Sequence, residues 1–270
     1  MKSGPVMKPA PALKLGLVTW NVASTWDFDA LLGACSKAGI EGVEPRTTHP
    51  HGIEPDLSPQ RRREVRRRFA DAGVAIWGLG STCEFHSTDP AEVARQIVIC
   101  ADFVRLAADL GAKGVKVRPN GIPKGGKVRD TLVQIGQALA ECGRDAADHG
   151  IEIWLEVHGD RTSLPRNIHA IMKACGHPSV GVCWNSNRTD MAADGTVTEN
   201  LRLLKPWLKS CHITDLESDY PWAELFGLLK AAKYDRFTLC EYHKSMDPAS
   251  GAEFLAGYRR RWLELQGKRA

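Results

Sequence analysis

Eight short apolar runs alternate with eight longer amphipathic stretches along a chain of 270 residues, and glycine recurs where a helix should hand over to a strand. The apolar runs are nearly continuous rather than alternating, as expected of parallel strands covered by helices on their outer face. Together these observations predict the α/β class and a single (β/α)8 TIM barrel, a fold that needs roughly 250 residues.

In order, the predicted strands cover residues 15–21, 42–45, 75–81, 114–118, 151–158, 180–185, 208–214 and 237–241. The predicted helices lie near 27–39, 59–73, 89–111, 129–149, 164–175, 197–206, 221–233 and 247–266. Gly39, Gly73, Gly111 and Gly150 stand where the first four helices should end. Asp89-Pro90 sets a capping carboxylate before a proline at the first helical position. In the helix that follows, Val93, Ile97, Cys100, Val104, Ala107 and Leu110 recur at steps of three and four residues, the period of one buried face. A doubly wound open sheet is the competing topology, but no glycine-rich dinucleotide or phosphate fingerprint follows the first strand. The Pro-rich residues 1–12 read as a flexible tail, and 13–270 as the barrel domain.

Composition narrows the class further. A hydrophobic share of 43% with 25% charged residues is that of a soluble globular enzyme with a sizeable core. No apolar run is long enough to span a bilayer, so no membrane association is expected. The net charge of +4 is mild, and the run Arg61-Arg-Arg-Glu-Val-Arg-Arg-Arg68 reads as a solvated helix face with Val65 and Phe69 turned inward. No nucleic-acid partner is expected, since a charge run without motif support is weak evidence. The eight cysteines lie mainly in apolar runs without a CxxC pair, which suits buried free thiols in a reducing cytosol and predicts a cytoplasmic protein. Nothing fixes the oligomeric state, and a homo-oligomer built through the barrel helices stays open.

A parallel barrel gathers its strand ends on one face, so chemistry is sought there. Glu156, Asn185, His212 and Glu241 each lie at or near the end of a predicted strand and each can ligate a metal. Two carboxylates, an imidazole and an amide oxygen suit a divalent cation, with Mn or Mg favoured by oxygen-rich ligation and Zn or Co compatible. His158 lies two residues beyond Glu156 and, by strand alternation, faces the same mouth as a candidate general base. Lys116 and Arg118 alternate along one strand, where cations need anions or a wet cavity. Either could pair with Glu44 or Glu84, or grip substrate. Arg188, Asn187, His86, Glu44 and Trp20 are further candidates for substrate binding, and Trp184 and Trp222 for aromatic platforms. His49 and His51 look like a metal pair but read as a substrate loop or surface histidines.

The order of strand-end residues resembles the xylose isomerase-like barrel superfamily, in its sugar isomerase, epimerase and AP-endonuclease-like branch. The resemblance covers about residues 14–266. It implies a metal held by Glu156, Asn185, His212 and Glu241, with Glu156 and Glu241 also moving the protons. One position departs: ketose epimerases look like Asp-Thr-x-His where this chain has Asn185-Ser186-Asn187-Arg188. The ligand charge falls to −2, which weakens metal binding and leaves the cation more Lewis-acidic.

The resemblance therefore implies a metal-dependent sugar isomerase or epimerase, working by proton abstraction beside a carbonyl through an enediolate, on a small sugar or glycoside. A 3-keto-glycoside lyase or 3-keto-glucal hydratase of the same superfamily is the alternative, with His158 taking the C2 proton and Lys116 holding the enolate. A non-catalytic sugar-binding barrel is a remote third reading. A DNA-repair nuclease of this fold would need more His and Asp ligands than remain, with Asn185 and Arg188 standing where two should be.

Overall fold

The computed structural model describes residues 13–267. The expected tail, residues 1–12, lies outside the described residues.

Nine strands form one sheet: β1 (Lys14–Val18), β2 (Gly42–Glu44), β3 (Ala75–Ile76), β4 (Gly78–Glu84), β5 (Gly114–Arg118), β6 (Glu152–Glu156), β7 (Val180–Trp184), β8 (Leu208–Ile213) and β9 (Phe237–Cys240). Their spatial order is β3-β2-β1-β9-β8-β7-β6-β5-β4, and every pairing is parallel. The two outer members, β3 and β4, are consecutive pieces of one chain segment interrupted only at Trp77. Trp77 N–H donates to Val43 O at 2.8 Å and Trp77 O accepts from Lys113 N–H at 2.9 Å, so this residue ties β2 to β5 and closes the cylinder. The eight predicted strands are thus the barrel, with the third split in two.

Around it run α1 (Phe28–Ala38), α2 (Pro59–Asp71), α3 (Pro90–Leu110), α4 (Val128–Asp148), α5 (Pro165–Cys175), α6 (Thr198–Leu204), α7 (Trp222–Ala231) and α8 (Pro248–Leu265). Local sequence explains their ends. Asp27, Ser58, Asp89 and Asp247 each accept a first-turn backbone N–H, which satisfies donors the helix cannot. Gly39 closes α1 at φ 67°, a left-handed conformation in which a side chain would be strained. Val65 and Phe69 are buried as the pattern requires, and α8 packs back on α1 to complete the ring of helices.

The main core lies between strands and helices. A second, inside the barrel, contains Val18, Phe237 and Leu239 with Trp77 against them. Trp154 stacks on Trp77 there, with ring centroids 5.3 Å apart. A Cβ at Gly78 or Gly114 would stand 2.4 Å from that Trp154 ring, so bare backbone on two neighbouring strands makes room for one large side chain. Packing thus plugs the lower half of the barrel, and the upper half is left to polar residues. No helix among the described residues is long and apolar enough to cross a membrane.

Candidate functional site

The polar half is built from strand ends. Glu156 is the last residue of β6, Lys116 sits within β5, and His212 within β8. Asn185 follows β7, and Glu241 follows β9, held in register by its N–H on Ile213 O at 2.9 Å. Ser186 Oγ donates to His212 O at 2.8 Å, and Asn187 Nδ2 donates to Val157 O. The Asn185-Ser186-Asn187 turn is therefore pinned to the strands on both sides.

His212 is fully buried at the centre. Its Nδ1 lies 3.2 Å from Asn185 Oδ1, 3.4 Å from Glu241 Oε2 and 3.8 Å from Glu156 Oε1. Its Nε2 lies 3.3 Å from Glu44 Oε2. Glu156 uses its other oxygen, Oε2, to accept from Lys116 Nζ at 2.9 Å. Burial alone would push the Glu156 carboxyl upward, but the charges of Lys116 and His212 overcome it and hold the pKa at about 2. Burial likewise opposes charge on His212 and Lys116. The pKa of His212 is nonetheless raised well above its ordinary value by the Cys183, Glu44 and Glu241 groups facing it, and that of Lys116 is raised by Glu156, Glu44 and Glu241.

This donor set fits a divalent cation. Three oxygens converge on one imidazole nitrogen, and Glu156, His212 and Glu241 each offer an atom within 4.8 Å of the others. Such a group of electron-rich atoms is stable only around positive charge, supplied by a proton on the imidazole or by a metal. Glu44 on Nε2 supplies the outer hydrogen bond that would leave Nδ1 free to ligate.

Above these residues opens a cavity of about 390 Å³ at the C-terminal ends of the strands. Glu156, Glu241, Asn185, His158, Asn187, Lys116, Arg118 and Trp20 line it. His158 Nδ1 is buried without a hydrogen-bond partner.

Three expected substrate residues are placed elsewhere. Arg188 lies in a short 3-10 helix, exposed and paired with Asp219 at 3.0 Å, because the turn capped by Asn187 swings it out to solvent. His86 stands outside the cavity lining, Nδ1 3.9 Å from Glu84 Oε2. Glu44 sits beneath the cavity, fully buried against His212. Arg118 pairs with Glu84, which also accepts from Asn120 Nδ2 at 2.7 Å, while Lys116 pairs with Glu156 rather than with Glu44 or Glu84. Trp184 and Trp222 are buried, their indole N–H groups spent on Tyr220 Oη and Asp215 O, and form no platform. Nor are His49 and His51 surface histidines: both are buried, and burial lowers each pKa to about 4, helped by Arg46 beside His49 and by His49 beside His51.

A family profile described as "Xylose isomerase-like TIM barrel" matches residues 32–264. The chain belongs to the xylose isomerase-like TIM barrel family. Solved structures of similar shape include a D-psicose 3-epimerase in the presence of D-fructose, at 16% identity and a TM-score of 0.75, covering 92% of this chain and 98% of that one. The 3-keto-D-glucoside 4-epimerase YcjR of E. coli, in its apo form, aligns at 15% identity and a TM-score of 0.76, covering 92% and 99%. The IOLI protein with a bound zinc atom aligns at 17% identity and a TM-score of 0.73, covering 94% and 98%. At these identities the likeness establishes the fold. No curated protein sequence matches the chain.

Within this family barrel, sequence reasoning passed over Arg46, Asp215 and Tyr242, which also line the cavity. Arg46 carried a readable signal: it follows β2 immediately after Pro45, at the face where strand ends gather. Asp215 and Tyr242 lie two residues past β8 and β9, respectively, and their side-chain directions depend on loop conformation.

Proposed function

We propose that this protein is a sugar isomerase or epimerase that moves a proton on the carbon beside a carbonyl. The reading is carried by one observation: Glu156 and Glu241, from different strand ends, meet at His212 Nδ1 on the floor of a single cavity. Glu156, Asn185, His212 and Glu241 would hold a divalent cation, Mn or Mg by the oxygen-rich ligation and Zn or Co by the imidazole, which when bound polarises the carbonyl and its neighbouring hydroxyl.

The protein's own groups divide the remaining work. Glu241 is the more accessible carboxylate, its side chain 16% exposed against 3% for Glu156. Glu156, held at about 2 against the push of burial by Lys116 and His212, is a poor base, so Glu241 takes the C–H proton. The Lys116 ammonium, 2.9 Å from Glu156, stabilises charge on the enediolate. Glu241, now carrying the abstracted proton, returns it at the other carbon, or loses it to solvent while a solvent proton enters from the opposite face. Glu156 stays ionised and holds Lys116 in place. Trp20, 41% exposed at the rim, gives the sugar an apolar surface. Among the solved structures of similar shape are a D-psicose 3-epimerase and a 3-keto-D-glucoside 4-epimerase, and small neutral or anionic sugars are the expected substrates. The eight buried, unpaired cysteines favour a reducing compartment such as the cytoplasm.

A second reading rests on His158, whose Nδ1 is buried, partnerless and on the cavity wall two residues from Glu156. Such a base suits removal of the C2 proton of a 3-keto glycoside with departure of the C1 substituent, a lyase, or the reverse hydration of a 3-keto glucal.

Incubation with Mn and a panel of ketoses and 3-keto glycosides in D2O separates these. Deuterium at the carbon beside the carbonyl, with epimer or isomer formed and Glu241→Gln inactive, is the expected result. Exchange with loss of the anomeric substituent, abolished by His158→Gln, selects the lyase. Tight sugar binding with no exchange from any substrate would mean a binding barrel.

A further inference from the structure

We propose that the cavity carries an anion subsite centred on Arg46, so that the preferred substrate is a sugar bearing a carboxylate or phosphate group. The inference rests on the reading above for the sugar and adds the charged group.

Arg46 lines the cavity at the end of β2. It bridges to Gly80 of β4, which in turn stands in register with Lys116 of β5. The guanidinium lies over the Trp20 indole, 4.9 Å from the ring centroid, and one nitrogen donates to Thr47 O at 3.1 Å. Both contacts orient the group, and neither neutralises it. Among the described residues no carboxylate lies within ion-pair distance of Arg46.

The acids whose charge reaches Arg46 are Glu156, Glu241 and Glu54, none of them paired with it, and Glu241 faces His212 Nδ1 at 3.4 Å. Glu54 accepts from Thr47 Oγ1 and from Thr48 N–H, each at 2.5 Å. Glu84 is taken by Arg118 and Asn120, and Glu156 by Lys116. The pKa of Arg46 is lowered, first by burial and then by the like charge of Arg118, which outweigh the opposing through-space pull of Glu156, Glu241 and Glu54. A planar guanidinium held in place by an aromatic face, with free N–H groups toward a cavity, is the geometry that recognises carboxylate or phosphate oxygens. Arg118, on the same wall, adds to the field.

The test is a binding titration of the purified full chain, in EDTA and again with Mn, following tryptophan fluorescence or heat. D-glucuronate, D-glucose 6-phosphate and D-glucose are the probes, with acetate and inorganic phosphate as minimal anions. One anionic sugar should bind at least about tenfold tighter than glucose, and the tighter of the two identifies carboxylate or phosphate as the source. Arg46→Met should bring that preference to within about twofold, and Arg46→Lys should keep part of it, since a point charge replaces the planar fork. Equal affinity for glucose and both anions, or an undiminished preference in folded Arg46→Met, overturns the proposal. The readout is binding alone. Exchange of neutral ketoses in D2O without anion preference would sink the subsite and spare the enzyme reading; anion preference without any exchange would do the reverse.

Discussion

Glu44 Oε2 lies 3.3 Å from His212 Nε2, and both side chains are wholly buried. The contact spans the barrel from β2 to β8 and fixes which nitrogen of the imidazole faces the Asn185, Glu156 and Glu241 oxygens. Glu44→Gln keeps the shape and removes the charge behind the ring. Mn affinity by calorimetry should fall about 10- to 100-fold, as when a partner behind a metal-ligating histidine is lost. Unchanged affinity would show that Glu44 does not orient a ligand.

The Lys116–Glu156 pair is buried, with side chains 4% and 3% exposed. Lys116→Met should therefore cost about 3–5 kcal/mol in urea unfolding at pH 7, because a buried carboxylate loses its cation. The pH dependence has a definite sign. Burial raises the Glu156 pKa, but Lys116 and His212 hold it at about 2, so its stabilising contribution is complete above the ordinary value of 4.5 and drains away as pH falls toward 2. The variant lacks that term, and the stability gap between the two proteins should narrow between pH 5 and pH 3. A gap that widens with acid would contradict the assignment.

Asp190 behaves oppositely. It is completely buried, its Oδ2 accepts Asn187 N–H at 2.6 Å, and its Oδ1 has no partner. Burial raises its pKa from 3.8 to about 8. The folded protein then holds a proton that the unfolded chain has released, so this group's contribution declines as pH rises from about 4 to about 8. Asp190→Asn can keep the Asn187 contact and removes the titration. Relative to the parent it should gain stability steadily from pH 5 to pH 8, reaching about 1 kcal/mol or more, some 2–4 °C in Tm. A constant difference across that range would mean Asp190 does not titrate there.

Arg188 offers a control. Its ion pair with Asp219 is exposed on both sides, 77% and 70%. Arg188→Ala should cost less than about 1 kcal/mol and leave turnover within about twofold. A large loss of activity would return this residue to the site.

Much of this molecule could be read before folding was considered. The α4, α5 and α8 boundaries fall within a residue or so of those expected, because caps such as Asp247 and αL glycines such as Gly176 act locally. The strand expected over 75–81 is instead two, 75–76 and 78–84, broken at Trp77, whose backbone serves two neighbours at once and whose ring fills the barrel floor. No local pattern announces that double duty.

Strand position alone put Glu156, Asn185, His212 and Glu241 on one face, since a parallel barrel brings every strand end there. Roles that depend on direction were hidden. Glu44 and Arg46 are two residues apart, yet one points beneath the cavity to His212 and the other lines its wall. Arg188 follows Asn187 directly, yet a capped turn sends it to solvent.

The sequence by itself determined the alternation of strands and helices, the burial of their apolar faces, and the types of donor at the strand ends, because these follow from chemistry within a few residues. Tertiary structure alone decided which acid meets which cation and which remains for a ligand. Those pairings join residues as far apart as Glu44 and His212, and the electrostatics of each depend on every charge the closed barrel brings beside it.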